Sequence, residues 1–356
     1  MQSAHSLSRY LLKLVSRAGM RLLIAPLCRW STQANAEPGY SVLIGCVYRL
    51  QSMIPANLRM LARQHAPNCR EILLCIDCEP HEVDAGFEKR VQDAAQPLAV
   101  RCLYYTPWQR RITRLIDWGW VYAWLNWCKG IAGSRTRYAM LHDFDALLLN
   151  PDVLEQRYVA IRDLGVEYLG MDYYSGLGVL PEDKLVKTFE LMFDAAFVRR
   201  SFRPIELFNA MDRRGDRLVE YDTFLNAQSK AGRTAVLPID ATEMVHPSQM
   251  ICQFVDFTAG RDRVPATTNN LLMIPFYEHL GGDSTAMLRL TEEIRSREGR
   301  ATLWSRLLDV RRLSPAHAAW IRKQGSRAEA EIYGQQRPES AAYFDAIDRW
   351  ATGQLA

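Results

Sequence analysis

Apolar runs and amphipathic stretches alternate along residues 40–149, and the alternation predicts strands and helices in turn. Residues 40–48 are an apolar run with β-branched members, as suits a strand buried on both faces. Residues 50–64 place Met53, Ile54, Leu58 and Leu61 at helical spacing. Residues 71–77 read as a second buried strand ending in an acid, residues 81–95 as a helix and residues 98–105 as a third strand. Residues 111–129 predict one long helix carrying Trp118, Trp120, Trp124 and Trp127, an aromatic content that suits core packing better than base stacking. A fourth apolar strand runs from residue 138 into two acids, Asp143 and Asp145, and a second apolar run follows until Asn150-Pro151 stops it. This order predicts the α/β class: a Rossmann-like, mostly parallel sheet with helices on both faces. Ligands of such sheets sit beyond the carboxyl ends of the strands. Tyr48, Arg49, Asp77, Asp143 and Asp145 all fall there.

The second half is less regular. Residues 166–172 and 233–238 predict strands, and residues 183–199, 204–213 and 221–231 predict helices. From about residue 283 the pattern is helical and polar, a C-terminal extension. Ser314-Pro315 is a helix start (cap, then proline at the first helical position) and Gly325 reads as a stop. The predicted division is 1–38 as a basic amphipathic segment, 39–282 as the α/β domain and 283–356 as the extension.

The first segment stands apart in charge. Residues 1–36 carry no acid. Arg9, Lys13, Arg17 and Arg21 recur every four residues and form one row along a helix, with Leu11, Val15, Ala18 and Leu22 opposite. Such a helix fits an anionic membrane surface. It equally fits a helix packed on the main domain, and the missing acids also suit a mitochondrial-type leader. The charge-free run 22–28 is far short of the roughly 20 residues that a membrane span needs. Pro38-Gly39 then breaks the chain.

Composition narrows the class. With 48% apolar and 24% charged residues among 356, the chain can bury a proper core. The net charge of +4 is spread, which argues against nucleic acid as partner. The eight cysteines sit largely in apolar runs, as free thiols do in a reducing compartment such as the cytoplasm. Cys75-Ile-Asp-Cys78 lacks a second pair or nearby histidine and reads as two core thiols rather than a zinc or redox site.

Neither common phosphate loop is present, nor a nucleophile elbow, nor a zinc-protease helix motif. What remains is His142-Asp-Phe-Asp145. On an extended chain, residues i and i+2 point to the same side, so Asp143 and Asp145 converge if the strand keeps its period through Phe144. Two such carboxylates can grip a hard divalent cation and its phosphate oxygens. The lesser alternative is a pair of helix-capping or salt-bridged acids.

In their order and spacing, Ser41-Val-Leu-Ile-Gly-Cys-Val-Tyr-Arg49, Glu71-Ile-Leu-Leu-Cys-Ile-Asp77 and Met140-Leu-His-Asp-Phe-Asp145 resemble the GT-A glycosyltransferases, in particular the inverting family-2-like group. The resemblance covers roughly residues 40–282, and the D-x-D is its most specific motif. It implies that Val47, Tyr48 and Arg49 line a nucleobase pocket and that Asp77 contacts the uracil or ribose side of the donor. Asp143 would lie near ribose and metal, and Asp145 would bind Mn²⁺ or Mg²⁺ and bridge to the diphosphate. Asp222, with Glu220 second, resembles the acid that serves as general base, although Tyr221 separates two acids that are adjacent in the family. A histidine usually completes the metal site, and both His246 and His279 fit. The implied activity moves a sugar from a UDP- or GDP-sugar to a hydroxyl of a glycan or lipid-linked acceptor by a single displacement, with a carboxylate base. Three other classes compete. A haloacid-dehalogenase-like phosphatase would carry its D-x-D near the start of the domain. A nucleotidyltransferase would want a glycine-rich end to the first strand. A non-catalytic membrane-peripheral scaffold could keep the fold without turnover.

Overall fold

A computed structural model of the chain describes residues 7–32, 35–261 and 266–351. The N-terminal helix α1 is Leu7–Ile24. The first strands and helices follow as β1 (Glu37–Cys46), α2 (Ile54–Ala62), β2 (Cys69–Ile76), α3 (Phe87–Ala95) and β3 (Val100–Tyr104). Then come α4 (Pro107–Ile116), α5 (Gly119–Gly133), β4 (Thr136–Asp143), β5 (Leu147–Leu148), α6 (Val153–Leu164) and β6 (Tyr168–Gly170). The middle contains β7 (Met192–Asp194), α7 (Ala195–Ser201), β8 (Ala210–Arg214), β9 (Arg217–Tyr221), α8 (Leu225–Gln228), β10 (Thr234–Val236) and β11 (Met244–Val245). The chain continues through α9 (Met250–Thr258), α10 (Met273–Leu280), α11 (Thr285–Ser296), β12 (Arg300–Leu303), β13 (Arg306–Asp309), α12 (Pro315–Tyr333) and α13 (Pro338–Ala351).

The main sheet has seven strands in the order β10-β6-β7-β4-β1-β2-β3. All neighbours pair in parallel except β7, which runs antiparallel to both β4 and β6. The sheet is therefore mostly parallel and Rossmann-like, as the alternation implied. Successive side chains of β1, β2 and β4 divide between two cores, because a strand's period is two residues. Val42, Ile44, Ile72, Leu74 and Met140 join the core under α2, α3, α6 and the C-terminal helices. Leu43, Leu73, Ala139 and Leu141 join the other, under α5 and α7. Cys75 and Cys78 are buried free thiols, as expected.

Several local expectations fail for identifiable reasons. The long helix at 111–129 is two helices, because Asp117 takes a left-handed conformation (φ 43°) and ends α4. The helix expected at 81–95 starts only at Phe87, after a single 3₁₀ turn at Pro80–Glu82. The helix expected at 183–199 forms only from Ala195, as α7, after the antiparallel strand β7, and the one expected at 204–213 is a 3₁₀ turn at Pro204–Leu207 followed by the first strand of the hairpin β8–β9. Their apolar residues meet the sheet and the hairpin rather than one helix face, so tertiary pairing overrides local spacing. Gly325 does not stop α12, which runs on to Gly334 in a left-handed cap. A Cβ at Gly325 would lie 2.3 Å from Phe344 Cζ, so glycine there permits close approach of α13. The extension is not wholly helical, since β12 and β13 form a hairpin within it. Its helices share the core that underlies the sheet.

Candidate active site

Parallel pairing aligns Gly45 of β1 with Cys75 of β2 and with Asp143 of β4, so the carboxyl ends of three central strands open on one side. A cleft of about 350 Å³ lies there. Val47, Tyr48, Arg49, Asp77 and Asp143 all line it. Asn126 of α5 and Phe254 of α9 add walls that no motif announced. Arg49 lies over the Phe254 ring at 5.1 Å and Arg110 over the Tyr48 ring at 4.5 Å.

Asp77 sits at the cleft floor, 5% exposed. One carboxylate oxygen accepts the Tyr48 backbone N–H at 2.8 Å. Burial pushes its carboxyl up to about 6, against the lowering pull of that bond and of the Arg110 guanidinium. A carboxylate so held is a directional acceptor for a ligand N–H or O–H.

The two motif acids converge, but by a turn rather than by continued strand period. β4 ends at Asp143, and Phe144 and Asp145 form the turn into Ala146. The Ala146 N–H donates to the Asp143 carbonyl at 2.9 Å and closes it. The short strand β5 then pairs with β11, with Leu147 opposite Val245. That pairing delivers His246, the next residue, to the acids. His246 Nε2 lies 3.7 Å from Asp143 Oδ2 and 3.6 Å from Asp145 Oδ1. Ligand atoms of the three residues all lie within 4.8 Å of one another. Phe189 stacks on the His246 ring, centroids 4.1 Å apart.

The electrostatics match a cation site. Burial, then the neighbouring Asp145 carboxylate, push Asp143 up to about 7. Burial alone would lower His246, yet the Asp145 and Asp143 carboxylates outweigh it and hold the imidazole above its usual value. Asp145 is nearly fully buried, and its Oδ1 has no hydrogen-bond partner among the described residues. A buried carboxylate oxygen left unpaired is costly unless a cation meets it. Oxygen ligands with one imidazole suit Mn²⁺ or Mg²⁺, so the residues present fit the expected metal.

A buried network behind the turn fixes its geometry, and sequence reading missed it. Asn57 Nδ2 donates to the Ala146 carbonyl at 2.7 Å and lies 2.9 Å from His142 Nε2. His142 Nδ1 meets Glu190 at 2.9 Å, and the Asp143 N–H reaches the other Glu190 oxygen at 3.3 Å. Arg157, also buried, donates to the Glu190 carbonyl at 2.8 Å. The turn at Phe189-Glu190 thus touches the acids from behind and His246 from the side. No local motif marks it.

His279 is not a metal ligand in this arrangement. Its Nδ1 lies 2.8 Å from Ser284 Oγ and its Nε2 lies 2.8 Å from Glu329, with Ser340 Oγ at 3.2 Å. Both ring nitrogens are occupied in a buried joint between α10, α12 and α13, which corrects its place among the candidates.

Glu220 is likewise engaged elsewhere. It is buried at the end of β9, and Lys13 and Arg17 of α1 reach it at 2.6 and 2.8 Å. Arg17 also lies over Trp118 and Trp120, at 4.1 and 4.7 Å. Each of its two carboxylate oxygens is thus engaged by a cation of α1. Asp222 is half-buried and bonded to the Thr223 N–H at 2.7 Å. Burial first, and the Glu220 charge as well, hold its carboxyl above the usual range. That is the direction a general base requires. The adjoining Phe224 packs against Trp127, which lines the cleft.

No family model matches the chain. No curated protein matches it in sequence. Among solved structures it is similar to S. aureus TarS 1–349, at 12% identity and a TM-score of 0.37, over 88% of this chain and 90% of that one. The UDP-GlcNAc complex of the same TarS fragment gives 11% identity and a TM-score of 0.34, over 88% and 90%. The mannosyltransferase PcManGT from Pyrobaculum calidifontis, in complex with GDP-Man and Mn²⁺, gives 13% and 0.35, over 97% and 99%.

Proposed function

We propose that this chain is a metal-dependent glycosyltransferase of GT-A fold. It moves a sugar from a nucleoside-diphosphate donor to a hydroxyl of a glycan or lipid-linked acceptor, with inversion. The observation that carries the reading is the Asp143–Asp145–His246 group beside a cleft lined by Tyr48, Arg49 and Asp77.

Each residue then has a role. Tyr48 and Arg49 pack on the nucleobase, and Asp77 accepts a base or ribose hydrogen. Asp143, Asp145 and His246 would hold the cation, and Phe189 stacks on the imidazole. A bound Mn²⁺ or Mg²⁺ would supply charge neutralisation for the leaving nucleoside diphosphate. Asp222 takes the proton of the acceptor hydroxyl as its oxygen bonds to the anomeric carbon and the bond from that carbon to the diphosphate breaks. Glu220 anchors α1 and is a positioning residue. The same reading places the protein at the cytoplasmic side, peripheral to the membrane.

The test is a thermal-shift titration of the full chain with Mn²⁺ and UDP or GDP, followed by nucleotide release from a panel of donor sugars. The midpoint should rise only when metal and nucleotide are both present, and Asp145→Ala should abolish the rise. A shift indifferent to nucleotide would overturn the reading, and phosphate release in place of nucleotide would favour a phosphatase. Asp222→Asn should keep the shift and lose turnover by about a thousandfold or more.

A further inference from the structure

Helix α1 is turned the opposite way from the orientation that its sequence suggests. Its charged row faces the protein: Lys13 and Arg17 bind Glu220, and Arg21 donates to the Phe208 and Asn209 carbonyls at 3.1 and 3.3 Å. Tyr10 and Ile24 are buried on the same side. The leucines face outward. Leu12, Val15 and Leu22 are 72%, 72% and 79% exposed, and Leu11, Leu14 and Leu23 join them. At about 100° per residue these six cover about half of the helix circumference with no charge between them. A helix packed on a soluble domain normally shows the reverse.

The width of this face and its surroundings say what covers it. A second helix covers a narrow seam, two positions in seven, and leaves most of such a face in water. The headgroup–acyl boundary of a bilayer covers all of it. The groove along α1, which Leu14 and Leu22 line, shares Ala25 and Arg203 with a second cavity of about 490 Å³ at the end of the helix. Arg29, Arg199, Arg200 and Arg203 line that cavity, and Glu206 is its acid. Apolar face and cationic pocket together are complementary to an acyl chain and its phosphate headgroup.

We propose that the outward leucine face of α1 and the arginine pocket at its end form one docking surface for an anionic phospholipid bilayer. α1 lies in the headgroup–acyl boundary, and its inward row carries the contact to Glu220 and so to the segment that holds Asp222. This orientation favours a lipid-linked acceptor over a soluble glycan. That last step rests on the transferase reading; the docking itself does not.

The experiment is co-sedimentation of the full chain, without donor or metal, with vesicles of phosphatidylcholine and of phosphatidylcholine mixed with phosphatidylglycerol. The wild type should bind the mixed vesicles at least about tenfold more tightly than the neutral ones. The double variant Leu12→Glu, Leu22→Glu should lose at least about tenfold on mixed vesicles. Its metal–nucleotide thermal shift should stay at the wild-type value, which separates lost docking from a misfolded or misread active site. Arg29→Glu with Arg200→Glu should remove only the preference for anionic lipid. Wild-type protein left in the supernatant of both vesicle types, or a leucine variant that binds like wild type, overturns the proposal. So does a wild-type dimer that the leucine variant dissociates, since a second copy would then be the occupant.

Discussion

Asp145 Oδ1 lies 3.6 Å from His246 Nε2, is buried, and accepts no hydrogen bond among the described residues. Two short strands far apart in the chain, β5 and β11, bring this pair together. The protein thus keeps two carboxylates side by side, one of them buried with an oxygen that accepts no hydrogen bond among the described residues, and both hold the neighbouring imidazole toward its protonated form. Such a group of two carboxylates and an imidazole is able to hold a cation.

The two histidine candidates should therefore part company on mutation. His246→Ala should leave folding within about 1 kcal/mol of wild type and weaken Mn²⁺ binding by about 10- to 100-fold. His279→Ala should do the opposite. It strands buried Glu329 and should cost about 2–4 kcal/mol of stability with metal affinity unchanged. Urea denaturation and Mn²⁺ titration calorimetry on both variants read the contrast.

Metal binding should depend on pH. Asp143 is pushed up to about 7, and His246 is held above its usual value. A cation needs the ionised carboxylate and the neutral imidazole, so binding must release protons. Mn²⁺ affinity should fall as pH drops through about 7, by about tenfold or more per unit on the acid side. Isothermal titration in buffers of different ionisation enthalpy should show the proton release. Affinity that is flat across this range would remove Asp143 from the ligand set.

Asp77 makes a separate prediction about stability. Its folded value of about 6 lies above the ordinary 3.8, so it favours the folded state in acid. That contribution is complete below the ordinary value and is lost as pH rises through about 6. Asp77→Asn should flatten this part of the stability–pH curve by up to about 3 kcal/mol. Asp143 adds to the same slope in both proteins, so the difference between them isolates Asp77. Nucleotide affinity of the wild type should fall below about pH 6, where the acceptor becomes protonated.

Glu190 should prove to be a positioning residue. Glu190→Ala leaves the His142 ring N–H and the Asp143 backbone N–H without their acceptor, at a cost of about 2–4 kcal/mol. In the conservative Glu190→Gln, stability should largely return. The Mn²⁺ requirement for half-maximal turnover should stay raised, because the amide cannot accept from both donors as the carboxylate does. A Glu190→Gln enzyme with wild-type metal dependence would confine its role to folding.

The amino-acid sequence by itself determined the sheet's first half and one side of the cleft. The continuous apolar runs at residues 40–48, 71–77 and 138–143 are a local property, and so is the placing of Tyr48, Asp77 and Asp143 at strand ends. The positions that tertiary structure decided share one cause: they depend on contacts between distant segments. β7 looks helical until it pairs antiparallel with β4 and β6. His246 and His279 are equal as letters, and only the β5–β11 register brings one to the acids while α12 and α13 enclose the other. Asp222 ranked ahead of Glu220 from sequence, and only the packing of α1 shows that the second is engaged elsewhere. The helix α1 itself has an unmistakable amphipathic pattern, but a pattern gives two faces and no direction. Glu220 and the Phe208 and Asn209 carbonyls, which lie about two hundred residues away, turn its charges inward and its leucines outward.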